Sequence, residues 1–174
     1  NCEHRIPTEG SSLGLEFILK QQIKPDAKIL LIKLRSIGDV VYNTAVYSPI
    51  KKHLPNSQLT VLVEPASYEI VAGHPDVDNV LCFKKESFLR QLKFYYRLFK
   101  EQYDVAIDMH EGTRAAVMCF ISFARFRIGN KFAKRSFLYK IKVDFSNLNP
   151  KLPLEYQTAI IAKIGIPVIN PRPN

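Results

Sequence analysis

A chain of 174 residues is long enough for one ordinary hydrophobic core, and an apolar share of 47% excludes a disordered polymer. The formal charge of +9 calls for an anionic partner such as nucleic acid, anionic lipid or a phosphorylated small molecule. No apolar run approaches the roughly 20 residues that span a bilayer, and no secretory signal pattern opens the chain, so a soluble, unexported protein is expected.

Residues 1–27 are mixed in composition, contain Gly10-Ser11-Ser12, and read as a leader or cloning remnant with a short amphipathic turn around Leu15 to Leu19. From Lys28 strand-like and helix-like segments alternate. Ile29 to Leu34 is an aliphatic run of buried-strand type, followed by apolar residues at helical spacing from Val40 to Leu54, which Pro55-Asn56 stops. Leu59 to Val63 is a second strand, Ala66 to Ala72 a short helix closed by Gly73, and the turn-rich "GHPDVDNV" leads into a third strand, Val80 to Phe83. Ser87 caps a long helix through Gln102, with Phe88, Leu92, Tyr95 or Tyr96, and Phe99 expected inward. Val105 to Asp108 is the fourth strand, "MHEGTR" a loop, and an apolar helix runs to about Ala124. A fifth strand is expected at Phe126 to Gly129 and a last helix at Leu154 to Ile164, ended by Gly165 and Pro167.

Continuous apolar strands between helices indicate a parallel sheet covered on both faces, an α/β fold of Rossmann type. Such sheets commonly run in the order 3-2-1-4-5, and ligands sit beyond the carboxyl ends of the strands where the winding reverses. That rule puts the loop Arg35 to Asp39 beside the loop Met109 to Arg114. The three cysteines, Cys2, Cys82 and Cys119, are odd in number and far apart, which suggests neither a disulfide framework nor a metal knuckle and fits a reducing cytoplasm.

"KLRSIGDV" has a single glycine and a negative charge where a pyrophosphate would sit, so neither GxGxxG nor a P-loop is present. Gly38 permits a tight or positive-φ turn. Asp39 has two readings, a helix-capping carboxylate or a general base at the crevice. "HEGTR" lacks the second histidine of HExxH and gives no metal site.

The run "ILLIKLRSIGDVVYNTAVYSPIKKHLPNSQLTVLV", then "HPDVDNVL" and "YDVAIDMHEGTRAAV", resembles the N-terminal half of the ADP-heptose:lipopolysaccharide heptosyltransferases, glycosyltransferase family 9. The resemblance covers Lys28 to Pro167. It implies one of the two Rossmann-like domains of a GT-B enzyme: residues 28–167 as the acceptor-binding domain, 168–174 as the start of a linker, and a donor-binding domain beyond. It further implies inverting transfer of heptose from ADP-heptose to the lipopolysaccharide inner core, with no metal and no cofactor, the ADP-sugar being the donor substrate held mainly by the other domain. This half alone is then expected not to catalyse transfer. Asp39 matches the family's proposed base. Lys33, Arg35, Ser36, Gly38, His110, Gly112 and Arg114 become acceptor-binding candidates, with Asp108 organising the loop.

Three departures stand out: Arg35 where a small polar residue is common, His110-Glu111 in place of a glutamine-glycine type of turn, and no histidine in "KLPLEYQTAI". Arg90, Lys93, Arg97 and Lys100 form one basic stripe on the long helix, read either as a solvated face or as a contact with anionic membrane lipid or lipid A phosphates. A second cluster, from Arg125 to Lys142 with interleaved aromatics, fits an amphipathic segment near a membrane. The expected location is cytoplasmic, peripheral at the inner face of the inner membrane. The competing reading is a flavodoxin-like module without chemistry that holds nucleic acid on its basic face. A related transferase with another sugar donor is a third.

Overall fold

A computed structural model of the chain describes residues 23–146, 153–163, 165, 166 and 168; the expectations for residues 1–22 and for the 169–174 part of the linker lie outside them. Six strands form one parallel sheet, β1 (Lys28–Ile32), β2 (Gln58–Val63), β3 (Asn79–Cys82), β4 (Val105–Asp108), β5 (Phe126–Asn130) and β6 (Ile141–Val143), in the order β3-β2-β1-β4-β5-β6. The first five follow the expected order, and the winding reverses between β1 and β4. The helices are α1 (Ile37–Thr44), α2 (Tyr47–His53), α3 (Tyr68–Val71), α4 (Phe88–Lys100), α5 (Thr113–Ile121) and α6 (Pro153–Lys163).

The continuous apolar strands are explained by two separate cores. Ile29 and Leu31 of β1 point into one, with Val61 and Val63 of β2, Val105 and Ile107 of β4, and Ile160 and Ile161 of α6. Leu30 and Ile32 point into the other, with Leu62, Ala106, Leu98 of α4 and Ala115, Ala116 and Met118 of α5. Because side chains alternate along a strand, a sheet buried on both faces needs apolar residues at every position.

Three expectations change. The single helix from Val40 to Leu54 is two, broken at Ala45 and Val46, because Pro49 has no N–H to return to the Ala45 carbonyl and its ring crowds that carbonyl. The inward face of α4 is rotated: Phe88, Leu92, Tyr96 and Phe99 are exposed, while Leu98 is buried and Phe94 and Tyr95 pack on Phe83 at 5.1 and 6.3 Å between ring centroids. Both rows of α4 are apolar, so helical period alone could not choose between them. The second basic cluster is an edge of the sheet and not a free amphipathic segment: its residues form β5, a 3-10 turn (Ser136–Leu138) and β6, with Ile128 opposite Ile141.

His74 fills the base of the "HPDVDNV" turn. Its Nδ1 accepts the Asp76 N–H at 3.2 Å, its ring meets Tyr47 edge-on, and its Nε2 is buried without a partner. Burial lowers its pKa, against a smaller opposing pull from Asp76. The unfolded chain therefore binds the proton first, so the fold loses stability as pH falls below about 6.5 toward the lowered folded value. Urea unfolding of the parent and of His74→Asn at pH ~7.5 and ~5 is expected to show this acid contribution as the difference between the two, which cancels the opposite slope of other groups. The variant should lose less stability than the parent as pH falls, because its Oδ1 can keep the acceptor without taking a charge.

Candidate active site

At the carboxyl end of β1 the chain continues buried through Lys33 and Leu34, tied to β2 by Lys33 N–H donating to the Leu62 carbonyl and Glu64 N–H to the Leu34 carbonyl, both at 3.0 Å. Lys33 is only 7% exposed, so its ammonium needs partners. Its Nζ donates to the Met109 carbonyl at 3.1 Å and stands 3.3 Å from Asp39 Oδ2. One lysine thus joins the loops after β1 and β4, the two that the switch-point rule brings together.

Asp39 lies in the first turn of α1, where the helix dipole favours a carboxylate. The cap position belongs to Ser36, which makes no side-chain capping bond, so Asp39 is not the N-cap that one reading expected. Gly38 is also corrected: it sits inside α1 without a positive φ, and a Cβ built there would meet nothing within 4 Å. What the glycine leaves is open space beside Asp39. The Arg35–Ser36 peptide just before the helix is cis.

The turn is held from below by α6. Gln157 Nε2 donates to the Asp39 carbonyl at 3.0 Å, Asn43 Nδ2 donates to Gln157 Oε1 at 2.9 Å, and the Tyr47 hydroxyl donates to Asn43 Oδ1 at 3.1 Å. Asn43 and Gln157 are fully buried, so this chain of bonds fixes α1 against α6. The segment without the expected histidine therefore braces the Asp39 turn with an amide.

In the β4 loop, Asp108 is completely buried and organises the backbone. Its Oδ1 accepts the His110 and Glu111 N–H groups at 2.8 and 2.9 Å, and its Oδ2 accepts the Tyr139 hydroxyl at 2.7 Å. Burial raises its pKa to about 6 in spite of those bonds. His110 Nδ1 lies 3.2 Å from the Arg35 carbonyl oxygen, and burial, then the charge of Lys33, lowers its pKa, leaving it neutral at pH 7. Gly112 caps α5, and a Cβ there would stand 2.7 Å from His110 Cδ2. Glu111, at a φ of 58°, bonds to the Tyr156 hydroxyl and to Asn130 Nδ2.

Beside this junction opens a cleft of about 490 Å³ lined by Arg35, Lys84, Lys85 and Arg114, with Glu64, Pro65 and Phe83. Arg114 is steered by Glu64 at 3.6 Å and rests over the Phe83 ring at 5.3 Å. Four cations around one carboxylate make it an anion-binding hollow. Lys33 and Asp39 lie at the junction of the two loops, to which Arg35 contributes its carbonyl as the partner of His110 Nδ1 while also lining the hollow. Ser36 is exposed at the same turn. Arg90, Lys93, Arg97 and Lys100 are not part of the hollow; they run along the exposed side of α4. Glu64, Lys84, Lys85 and Gln157 were not anticipated. The first three lie within three residues of the carboxyl ends of β2 or β3, so the rule that favours strand carboxyl ends could have found them. Among the described residues, no three His, Cys, Asp or Glu converge as a metal-ligand group.

No family model matches the chain. Two curated proteins are similar in sequence: the lipopolysaccharide core heptosyltransferase OpsX of Haemophilus influenzae, 24% identical over 101 residues (58% of this chain, 29% of that protein), and lipopolysaccharide heptosyltransferase 1 of Campylobacter coli, 22% identical over 127 residues (68% and 37%). Among solved structures, the E. coli heptosyltransferase WaaC with ADP-2-deoxy-2-fluoro heptose superposes with a TM-score of 0.72 at 16% identity, over 84% of this chain and 51% of that one. E. coli ADP-heptose lps heptosyltransferase II gives 0.67 at 17% identity, over 84% and 46%. The chain therefore spans about a third of the curated relatives and half of the solved ones. Together these likenesses show that the chain has the fold of one half of the solved heptosyltransferases and is similar in sequence to part of two curated lipopolysaccharide heptosyltransferases.

Proposed function

We propose that this chain is the acceptor-binding half of an inverting transferase that moves a heptose from ADP-heptose to the lipopolysaccharide inner core, with Asp39 as the general base. The observation that carries the reading is the Asp39 carboxylate, held by Lys33 at the switch point, next to a hollow lined by Arg35, Lys84, Lys85 and Arg114. An acceptor bearing carboxylates or phosphates would be oriented by those cations, with one hydroxyl directed at Asp39.

In a single displacement the acceptor oxygen attacks the anomeric carbon on the side opposite ADP. The new C–O bond forms as the bond to the diphosphate oxygen breaks, the hydroxyl proton passes to Asp39, and the electron pair leaves with ADP. Lys33 fixes the carboxylate through its second bond to the Met109 carbonyl, so the base is preorganised. His110 and Gly112 shape the opposite loop, and Arg114, held between Glu64 and Phe83, is a rigid anion contact. Closing the donor over this surface falls to the second domain that the family resemblance implies.

A calorimetric or NMR titration of the chain with a delipidated inner-core oligosaccharide tests the reading, with an ADP-sugar and a short oligonucleotide as parallel ligands. Oligosaccharide binding that perturbs resonances near Asp39 and Arg114 is expected. An oligonucleotide response with no sugar response would overturn the assignment in favour of a nucleic-acid module.

A further inference from the structure

Helix α4 carries three faces. At about 100° per residue, Phe94, Tyr95 and Leu98 fall on the side that packs against the sheet. Phe88, Leu89, Leu92, Tyr96 and Phe99 fall on a second side that faces outward, with exposures from 47% at Phe99 to 78% at Phe88. Arg90, Lys93, Arg97 and Lys100 make the third. The apolar side does not stop at the helix. Phe99 meets Phe123 edge-on at 5.3 Å, Phe123 lies 6.0 Å from Phe120 at the end of α5, and Phe120 and Phe123 are themselves 41% and 65% exposed. Exposed apolar side chains joined along one flank, with cations beside them, mark an interaction surface rather than an ordinary solvated helix.

We infer that this flank of α4 and the end of α5 is a docking face for an anionic lipid bilayer. Phenylalanine, leucine and tyrosine on one side with lysine and arginine on the next is the composition of a helix that lies in the plane of a membrane interface. There the rings sink to the headgroup boundary and the cations meet lipid phosphates. Charge favours this occupant over a second copy of the chain: the thirteen residues of α4 include no acid, and Glu86, 3.7 Å from Arg90, offsets only the first of its four cations, so two such helices would bring net like charges together. Among the described residues no helix is long and apolar enough to cross a membrane. Phe83 to Lys85, which border the hollow, lead directly into α4, so docking would hold the mouth of the hollow near the lipid surface. The docking face is independent of the chemistry proposed for Asp39.

The test is co-sedimentation of the chain with vesicles of equal parts phosphatidylglycerol and phosphatidylcholine, against vesicles of phosphatidylcholine alone. The chain has no tryptophan, so Leu92→Trp supplies a unique reporter whose emission should shift to the blue on the anionic vesicles. Paired substitution of Lys93→Gln with Arg97→Gln is expected to weaken binding by roughly 30-fold, at about a kilocalorie per cation. Paired Leu92→Ser with Phe99→Ser is expected to abolish the binding that survives high salt. Lys93, Arg97 and Leu92 are exposed, so the Gln pair should keep the parent's unfolding midpoint, and the Ser pair should stay folded with a slightly lower midpoint from the lost Phe99–Phe123 ring contact. Equal binding to both vesicle types, or anionic binding unchanged in both pairs, would overturn the inference. So would a concentration-dependent dimer lost in the Ser pair, or oligonucleotide binding lost in the Gln pair, if lipid binding were absent.

Discussion

Asp39→Asn in an active, full-length enzyme is expected to lower kcat by about 10²–10⁴-fold, while the affinity for the acceptor stays within a few-fold. Asparagine keeps the shape and can still present an oxygen to Lys33, 3.3 Å away, but it cannot take the acceptor proton. The structural cost has two parts, about 0.3–1 kcal/mol for a first-turn carboxylate through the helix dipole and about 1–3 kcal/mol for leaving the buried Lys33 ammonium against a neutral amide, so the unfolding free energy should fall by no more than their sum. Lys33→Met separates positioning from proton transfer. It leaves the Met109 carbonyl and the carboxylate without their shared cation, at a cost of about 1–3 kcal/mol in stability, and should reduce kcat less than Asp39→Asn does. Initial-rate kinetics with both variants decide the matter. Turnover retained by Asp39→Asn would remove Asp39 from the base role, and a parallel loss of acceptor binding would make it a structural carboxylate.

Much of this arrangement was legible because it follows from topology. Once the apolar runs are recognised as strands of a doubly covered parallel sheet, the winding order brings the Arg35 and His110 loops together, and the structure joins them through Lys33 and through the Arg35 carbonyl. Failures came where a pattern had two solutions or none. Helix α4 has apolar rows on two sides, and only packing on Phe83 selects the Phe94 and Tyr95 row. Strand β6 is three residues at an edge, too short for alternation to register. Pro49 is a readable breaker, but the apolar spacing runs straight through it. The bonds that stiffen the site, Gln157 to the Asp39 carbonyl and Tyr139 to Asp108, link polar residues far apart in the chain, and no periodic signal announces such pairs.

The second large effect is expected at Gly129→Ala, remote from the hollow. A Cβ at that position would stand 2.5 Å from Cε2 and Cζ of Tyr139, a ring only 4% exposed and therefore unable to swing clear. Displacing the ring removes its hydroxyl from Asp108. Overpacking of about 1–3 kcal/mol combines with the loss of a bond to a buried carboxylate, so a destabilisation of about 2–5 kcal/mol is expected. Tyr139→Phe isolates the second part and should cost less. It also carries a pH signature. Burial lifts Asp108 from 3.8 to about 6, so the folded state holds the proton more tightly, and the stability this group contributes is fully present below pH ~4 and lost as pH rises through about 6. The Tyr139 hydroxyl favours the charged form, so removing it raises the folded pKa further, and Tyr139→Phe should destabilise more at pH ~8 than at pH ~5. Asp108→Asn should gain stability relative to the parent over the same rise, since an amide in its place cannot ionise. Because Asp108 also holds the His110 and Glu111 N–H groups, a loosened carboxylate frees the loop that offers the Met109 carbonyl to Lys33. Urea unfolding at the two pH values tests the whole chain of contacts. A Gly129→Ala variant as stable as the parent would show that the Tyr139 ring is not fixed against Gly129, and with it that Asp108 does not depend on that ring to order the loop.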